Sequence, residues 1–317
     1  MKNKTFFILL IINVVVLAAC ATTEKQVRTV YSSAIEADNS IYAQTGYPDE
    51  ILRVATLNLA HGRKDGFNQL FFRKSTFKEN LDDIAIVLNQ HKPHIVVLQE
   101  ADASSTWSGS FDHVEYLATQ ARYPWRTQAI NAESWLFSYG TAILSVLPLA
   151  ETIKHTFAPS PPTPNKGLVV AQVDMPYRDG SLSRKIDVVS VHLDFSRKSV
   201  RKKQINEMKE ILSARMNPTV ILGDFNSEWL AEASVIKELA TKSRFYAYEP
   251  ESSAYSSYKN KRLDWILLTK DLEFADYSVL SETLSDHDMV IAEIRFKDNV
   301  NDLETKFTSH TAQNNQH

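Results

Sequence analysis

Thr219-Val220-Ile221-Leu222 runs straight into Gly223-Asp224-Phe225-Asn226-Ser227, and a helical pattern follows. Four apolar or β-branched residues in a row read as a buried strand. Gly223 permits a tight turn at its end. In an extended segment Asp224 and Asn226 leave on one face. A carboxylate, which accepts, then sits beside a carboxamide, which donates and accepts. Such a pair orients a water and polarises an oxyanion. Gly, Asp and Asn are also ordinary turn residues. The stretch gains its weight because other apolar runs in this chain end the same way.

Leu52–Leu59 reads as a strand carrying Asn58, followed by a polar loop that contains His61. Phe77, Leu81, Ile84 and Leu88 keep helical spacing and predict a helix from about Ser75 to His91, with Thr76 and Glu79 fitting a capping box. Pro93 resets the chain, and His94–Glu100 is a buried strand ending in Glu100. A second helix is expected near Asp112–Arg122. Strands follow at Tyr139–Ser145, Leu168–Val173 and Ile186–Leu193, the last carrying His192. Ser196–Arg215 reads as a helix, as does Glu228–Ala240 beyond the Gly223-Asp224 strand. Leu263–Leu268 is a strand with Asp264 near its start, and Ser285-Asp286-His287-Asp288 leads into a last strand, Met289–Phe296. No composition break interrupts residues 50–297, which predicts one α/β domain. Many strands with relatively few helices suggest two packed sheets rather than one doubly wound sheet.

The N-terminus carries a different signal. Lys2 and Lys4 precede Phe6–Leu17, an apolar run broken only by Asn13, and then Leu17-Ala18-Ala19-Cys20. A basic region, a short apolar region and small residues make a secretory signal peptide over 1–19. The run is short for a membrane span of about 20 residues. Leu-Ala-Ala-Cys resembles the bacterial lipobox, which implies lipidation of Cys20 and anchoring to the envelope membrane. Ala21, rather than Asp, points to the outer membrane in that pattern. Residues 20–49 read as a polar tether and 298–317 as a polar, disordered tail. Cys20 is the sole cysteine, which excludes an intrachain disulfide and a thiolate metal cluster. The net charge of -3 offers no positive field for non-specific nucleic-acid binding.

Strand ends and adjacent loops thus carry Asn58, Glu100, His192, Asp224, Asn226, Asp264, Asp286 and His287. Carboxylates with a carboxamide and no thiolate select a hard cation, Mg²⁺ or Mn²⁺. Histidines donate to phosphoryl oxygens or move protons near neutral pH. The chain lacks H-E-x-x-H and G-x-S-x-G, the marks of a zinc peptidase and of an α/β-hydrolase.

In order, Leu-Asn58-Leu, Val97-Leu98-Gln99-Glu100, Val-His192-Leu, Gly223-Asp224-Phe225-Asn226, Arg262-Leu263-Asp264-Trp265-Ile266 and Ser285-Asp286-His287 resemble the endonuclease/exonuclease/phosphatase superfamily. The resemblance covers about residues 50–297 and implies a four-layer α/β sandwich, two packed mixed sheets flanked by helices. It implies Glu100 as principal metal ligand, with Asn58 and Asp286 completing or orienting that shell. Asp224 positions or deprotonates the attacking water, and Asn226 fixes that water or stabilises the phosphorane. His192 and His287 bind the scissile phosphate, one of them also serving in proton transfer, and Asp264 holds the tautomer of His287. Tyr139 stands where some family nucleases place a phosphate-contacting tyrosine. The expected reaction is metal-assisted in-line attack of water on a phosphodiester.

The substrate is less defined. A nucleic acid and a phospholipid-type headgroup both fit a phosphodiesterase, and a phosphomonoesterase would use the same residues. A non-catalytic envelope lipoprotein is the reading from another class, and retention of all six motifs argues against it. Arg197, Lys198, Arg201, Lys202 and Lys203 suit phosphate contacts or a solvated helix face. Trp107, Trp125, Trp135 and Trp229 suit a base-stacking platform, a lipid-facing edge or packing, and no exposed aromatic hairpin stands out. His61, Asp65, Asp102, Lys166, Asp194 and Asp288 are expected to be solvated loop residues. No sequence feature predicts a protein partner.

Overall fold

The computed structural model describes residues 50–67, 72–177, 182–232 and 234–297, with the backbone of Arg28–Thr29. The expected signal peptide, Cys20, nearly all of the expected tether and the expected C-terminal tail lie outside the described residues. Among the described residues no helix is long and apolar enough to cross a membrane.

The described residues form thirteen strands and four α-helices, in chain order: β1 (Arg28–Thr29), β2 (Leu52–Asn58), α1 (Lys74–His91), β3 (Ile95–Asp102), α2 (His113–Gln120), β4 (Trp125–Glu133), β5 (Ser138–Ser145), β6 (Ala150–Thr156), β7 (Gly167–Tyr177), β8 (Leu182–His192), α3 (Lys198–Ser213), β9 (Thr219–Asp224), α4 (Val235–Lys242), β10 (Phe245–Ala247), β11 (Asp264–Thr269), β12 (Leu272–Leu280) and β13 (Met289–Phe296). One sheet has the order β1-β6-β7-β8-β9-β11-β10 and the other β12-β13-β2-β3-β5-β4. Each sheet holds one parallel pair, β8 with β9 and β2 with β3. A parallel pair needs a crossover, and helices α3 and α1 supply it. The last residues of β2, β8 and β9 are Asn58, His192 and Asp224.

These central strands are apolar at nearly every position because both faces are covered. Val54, Ile95, Val97, Val188, Val220, Leu222 and Ile266 pack between the sheets. The alternate residues Ala55, Leu57, Val96 and Leu98 meet Leu81, Ile84 and Leu88 of α1 and Leu117 of α2. On the opposite side Val189, Val191, Ile221 and Leu267 meet Ile205, Met208 and Leu212 of α3 and Ile236 and Leu239 of α4. The result is the expected four-layer sandwich. Each buried Val, Leu or Ile contributes about 1.5–3 kcal/mol to holding it.

Several local expectations need correction. The helix at Lys74 begins at an Arg73 cap without a side-chain bond, so the Thr76–Glu79 capping box is not formed. Helix α3 is shorter than expected because Asp194 Oδ1 accepts from the Ser196 and Arg197 amides, 2.9 and 2.7 Å, ahead of it. Helix α4 starts at Val235, capped by Ser234, not at Glu228. Strands β4, β6 and β12 escape the apolar-run rule because one face of each is at least partly solvated. Glu100 does not end its strand: it sits at φ 47° where the pairing to β5 shifts register, and β3 continues to Asp102.

Candidate active site

Gly223 is a strand residue, not a turn. Its φ is 147°, and a Cβ there would meet the Val191 carbonyl oxygen at 1.9 Å. Glycine therefore lets β9 press against β8 and fixes Asp224 beside His192. Asn226 is not extended either. Its φ of 49° folds the side chain back, so that Nδ2 donates to Asp224 Oδ2 at 3.0 Å and to the Leu193 carbonyl at 3.1 Å.

Asp224 is the junction of the two sheets. Its Oδ2 accepts from Asn58 Nδ2 at 3.2 Å, across from the other sheet, and lies 3.4 Å from His192 Nε2. Its Oδ1 accepts from the Asn226 amide at 2.8 Å. Burial and neighbouring Asp264 push its pKa up to about 7, against the pull of His287, Asn226 and Lys166.

Asp264 Oδ2 holds His287 Nδ1 at 2.7 Å and accepts from Ser257 Oγ at 2.7 Å, while Oδ1 is buried without a hydrogen-bond partner. The Tyr258 ring lies 4.6 Å from the imidazole. Burial opposes charge on His287, but Asp264, Asp224 and Asp286 outweigh it and raise the pKa to about 10. His287 is therefore an imidazolium at neutral pH.

Glu100 gathers cations. Its oxygens lie 3.4 Å from His61 Nε2 and 3.5 Å from Lys166 Nζ. Burial alone would raise its pKa, yet His61 and Lys166 above all hold it far below the carboxylate range. Asn58 Oδ1 accepts from the Ala60 amide at 3.0 Å, and Asp286 Oδ2 meets Arg63 Nη2 at 2.6 Å. Tyr139 is buried, its ring 4.6 Å from that of His61, with Trp107 stacked beside it.

Four residues expected to be solvated are in fact buried: His61, Asp102, Lys166 and Asp194. His61 sits at φ 58° in the 3₁₀ turn after β2, and its Nδ1 meets Asp102 Oδ1 at 2.9 Å. Lys166 Nζ lies 3.4 Å from His192 Nδ1. Asp194 is a structural residue that ties α3 to Thr163, whose hydroxyl donates at 2.6 Å. Asp288 is half-buried beside Ser257, and Asp65 is exposed as expected. The available signals were spacing alone: His61 follows Asn58 by three residues, Asp102 follows Glu100 by two, and Lys166 precedes a glycine that opens a strand.

The basic helix is only partly free. Arg197 donates to the Ser160 carbonyl and Arg201 to the Asp194 carbonyl, while Lys202 pairs with Glu238. Lys198, Arg201, Lys261 and exposed Phe195 line a cleft of about 260 Å³ that opens beside Asn226. Trp107, Trp125 and Trp229 pack against clusters, whereas Trp135 is 85% exposed in the β4–β5 hairpin loop, the one of the four tryptophans left open for stacking or contact.

The donor set suits a hard divalent cation. Glu100 is kept ionised, and with the Asn58 and Asp286 oxygens it offers no soft ligand. Asp224, Asp264 and His287 also bring ligand atoms within 4.8 Å of one another. In that trio Asp264 Oδ2 is already engaged by His287 and Ser257, so hydrogen bonding describes it better than coordination.

Several solved structures share this fold. An endonuclease/exonuclease/phosphatase from Beutenbergia cavernae DSM 12333 gives a TM-score of 0.62 at 17% identity, over 78% of this chain and 72% of that one. Beta toxin from Staphylococcus aureus gives 0.57 at 16% identity, over 76% and 99%. A mannosyl-6-phosphatase from Bacteroides thetaiotaomicron VPI-5482 gives 0.56 at 14%, over 77% and 100%. No curated protein sequence matches the chain. The model of the endonuclease/exonuclease/phosphatase family, in contrast, matches residues 55–287, from the first core strand to His287. The chain therefore belongs to the endonuclease/exonuclease/phosphatase family, whose members are typically divalent-metal-dependent hydrolases of phosphate esters.

Proposed function

We propose that this protein hydrolyses a phosphodiester by in-line attack of water, with Mg²⁺ or Mn²⁺ as cofactor. The observation that carries the proposal is Asp224: buried, raised to about 7, and in contact with Asn58, Asn226 and His192 at once. A carboxylate with that pKa is matched to taking a proton from water near neutrality. Asn226 Nδ2 is placed to steady the water or a phosphoryl oxygen. His287, charged and fixed by Asp264, supplies positive charge or a proton on the phosphate side. A divalent cation held by Glu100, with Asn58 and Asp286, would act as a Lewis acid on the phosphoryl group.

The cleft beside Asn226 favours a diester over a monoester. It gives a second ester arm room, and its lining mixes Lys198, Arg201 and Lys261 with Glu228 and Glu232, Lys261 lying 3.6 Å from Glu228. Nucleic acid and phospholipid headgroup both present such an arm. Envelope anchoring through lipidated Cys20, on the outer membrane, belongs to the same proposal. Mass spectrometry of the mature N-terminus tests it, and an unmodified cysteine would sink it.

The enzymatic test is direct. Bis-p-nitrophenyl phosphate and p-nitrophenyl phosphate are assayed with Mg²⁺, Mn²⁺ or EDTA, against Asp224→Ala. Metal-dependent turnover of the diester, lost in the variant, is the expected result. Turnover of the monoester alone would make the protein a phosphomonoesterase. Full activity in EDTA or in Asp224→Ala would overturn the proposal.

A further inference from the structure

We infer that Lys166 is a positioning residue that fixes His192 as the Nε2–H tautomer, so that His192 faces the phosphate as a neutral hydrogen-bond donor and not as a base. The inference rests on the reading of the site as a phosphoesterase centre, but its test does not.

Three observations place Lys166 there. Gly167 pairs with His192 across β7 and β8, so the preceding residue is delivered next to the imidazole by strand register. Gly167 itself admits no side chain: a Cβ would lie 2.1 Å from Asn131 Nδ2 and 2.3 Å from the His155 carbonyl oxygen. The Lys166 carbonyl accepts from the Phe157 amide at 2.9 Å, which pins the other side of the peptide. The side chain is 5% exposed, and its Nζ lies between Glu100 Oε1 at 3.5 Å and His192 Nδ1 at 3.4 Å.

The chemistry follows from donor counting. An ammonium donates and never accepts. The imidazole nitrogen facing it must present its lone pair, so Nδ1 carries no proton. The remaining proton then sits on Nε2, which lies 3.4 Å from Asp224 Oδ2. An imidazole is more often oriented by a carboxylate or carbonyl that accepts from Nδ1–H, which leaves Nε2 free to act as a base. A lysine inverts that arrangement. Burial, and then Lys166 itself, hold the His192 pKa well below its ordinary value, consistent with a neutral ring. The two site histidines are thus set oppositely: Asp264 accepts from His287 and keeps it charged, whereas Lys166 donates to His192 and keeps it neutral. Proton removal from water falls to Asp224.

The test is the tautomer itself. Long-range ¹H–¹⁵N correlation spectra of ¹⁵N-histidine-labelled protein distinguish Nδ1–H, Nε2–H and imidazolium, and a His192→Gln sample assigns the resonance among the nine histidines. Wild type is expected to show His192 as Nε2–H, in EDTA and with Mg²⁺. Lys166→Arg, which retains a donor, should keep that tautomer, and Lys166→Met should give a mixture of the two neutral forms. In the diester assay Lys166→Met should lower kcat by about 10- to 100-fold, short of the full loss of an oxyanion donor. An Nδ1–H or imidazolium signal for His192 in wild type would overturn the inference, even if Lys166→Met proves too unstable to study. So would an unchanged tautomer in Lys166→Met. An Nε2–H signal in a protein that turns over no phosphoester would leave the tautomer assignment standing and fault the proposed reaction instead.

Discussion

Asp264 and His287 meet through Oδ2 and Nδ1 at 2.7 Å, and Ser257 holds the same carboxylate oxygen from behind. The aspartate accepts at this contact, so His287 must donate and keep Nε2–H for the open side. Asp264→Asn can offer an amide hydrogen and invite the opposite tautomer. It should lower kcat by about 10²–10⁴-fold, the range of a lost general acid. Thermal unfolding checks that the fold persists. A stable Asp264→Asn protein with wild-type kcat would remove His287 from the chemistry.

The same contacts set a pH profile. Asp224 must be ionised to accept a proton, and its pKa stands at about 7. His287 must be protonated, and its pKa stands at about 10. The value of kcat/KM should therefore rise through about pH 7, stay level, and fall through about pH 10. Initial rates on the diester from pH 5 to 11 measure this. His287→Gln should abolish the alkaline limb while leaving the acid limb in place, and an alkaline limb that survives in the variant would assign it elsewhere.

Metal removal has its own signature. Glu100→Gln keeps the shape but removes the charge that His61 and Lys166 surround. Calorimetric titration with Mn²⁺ should show affinity weakened by at least about tenfold, with EDTA abolishing turnover of the wild type, in line with losses seen even for outer partners of metal ligands. Unaltered Mn²⁺ affinity in Glu100→Gln would move the cation to another set of oxygens.

Gly223→Ala tests why the organising motif needs glycine. A methyl would strike the Val191 carbonyl oxygen, and the φ of 147° is unfavourable for alanine. A loss of about 3 kcal/mol or more is expected, together with displacement of Asp224 from Asn58. Denaturant unfolding reads the stability. Wild-type stability in the variant would mean that β8 and β9 are not so closely apposed.

His94 predicts an acid sensitivity away from the site. Its Nδ1 accepts from the Arg53 amide at 2.9 Å, which requires the neutral ring. Burial and Arg53 lower its pKa from 6.5 to about 4. The unfolded chain binds this proton first, so the stabilisation is complete above 6.5 and lost as pH falls from 6.5 towards 4. The loss amounts to roughly 2–3 kcal/mol. Unfolding free energies of wild type and His94→Asn should converge over that window. Parallel curves would show that His94 is not responsible.

The strand-end residues were legible because two-sided burial writes itself as uninterrupted apolar runs, and the polar residue ending each run stands out. Asn58, Glu100, His192, Asp224, Asn226, Asp264, Asp286 and His287 came from that contrast and from their order. Strands β4, β6 and β12 did not, because a partly wet face dilutes the apolar signal. Lys166 reads as a solvated loop residue in the sequence, although strand register buries it against His192.

Sequence alone determined the layered α/β class and pointed to most of the candidate site residues and to an oxygen-rich donor set, since each follows from local composition. Only the tertiary structure decided who touches whom. Asn58 reaches Asp224 across 166 residues, Arg63 takes Asp286 across 223, and Lys166 stands between Glu100 and His192. In the same way Asp264, Asp224 and Asp286 set the charge on His287, burial and Asp264 raise the pKa of Asp224, and Lys166 faces Nδ1 of His192. Electrostatic energies depend on distance through space and on burial, and neither quantity is written along the chain.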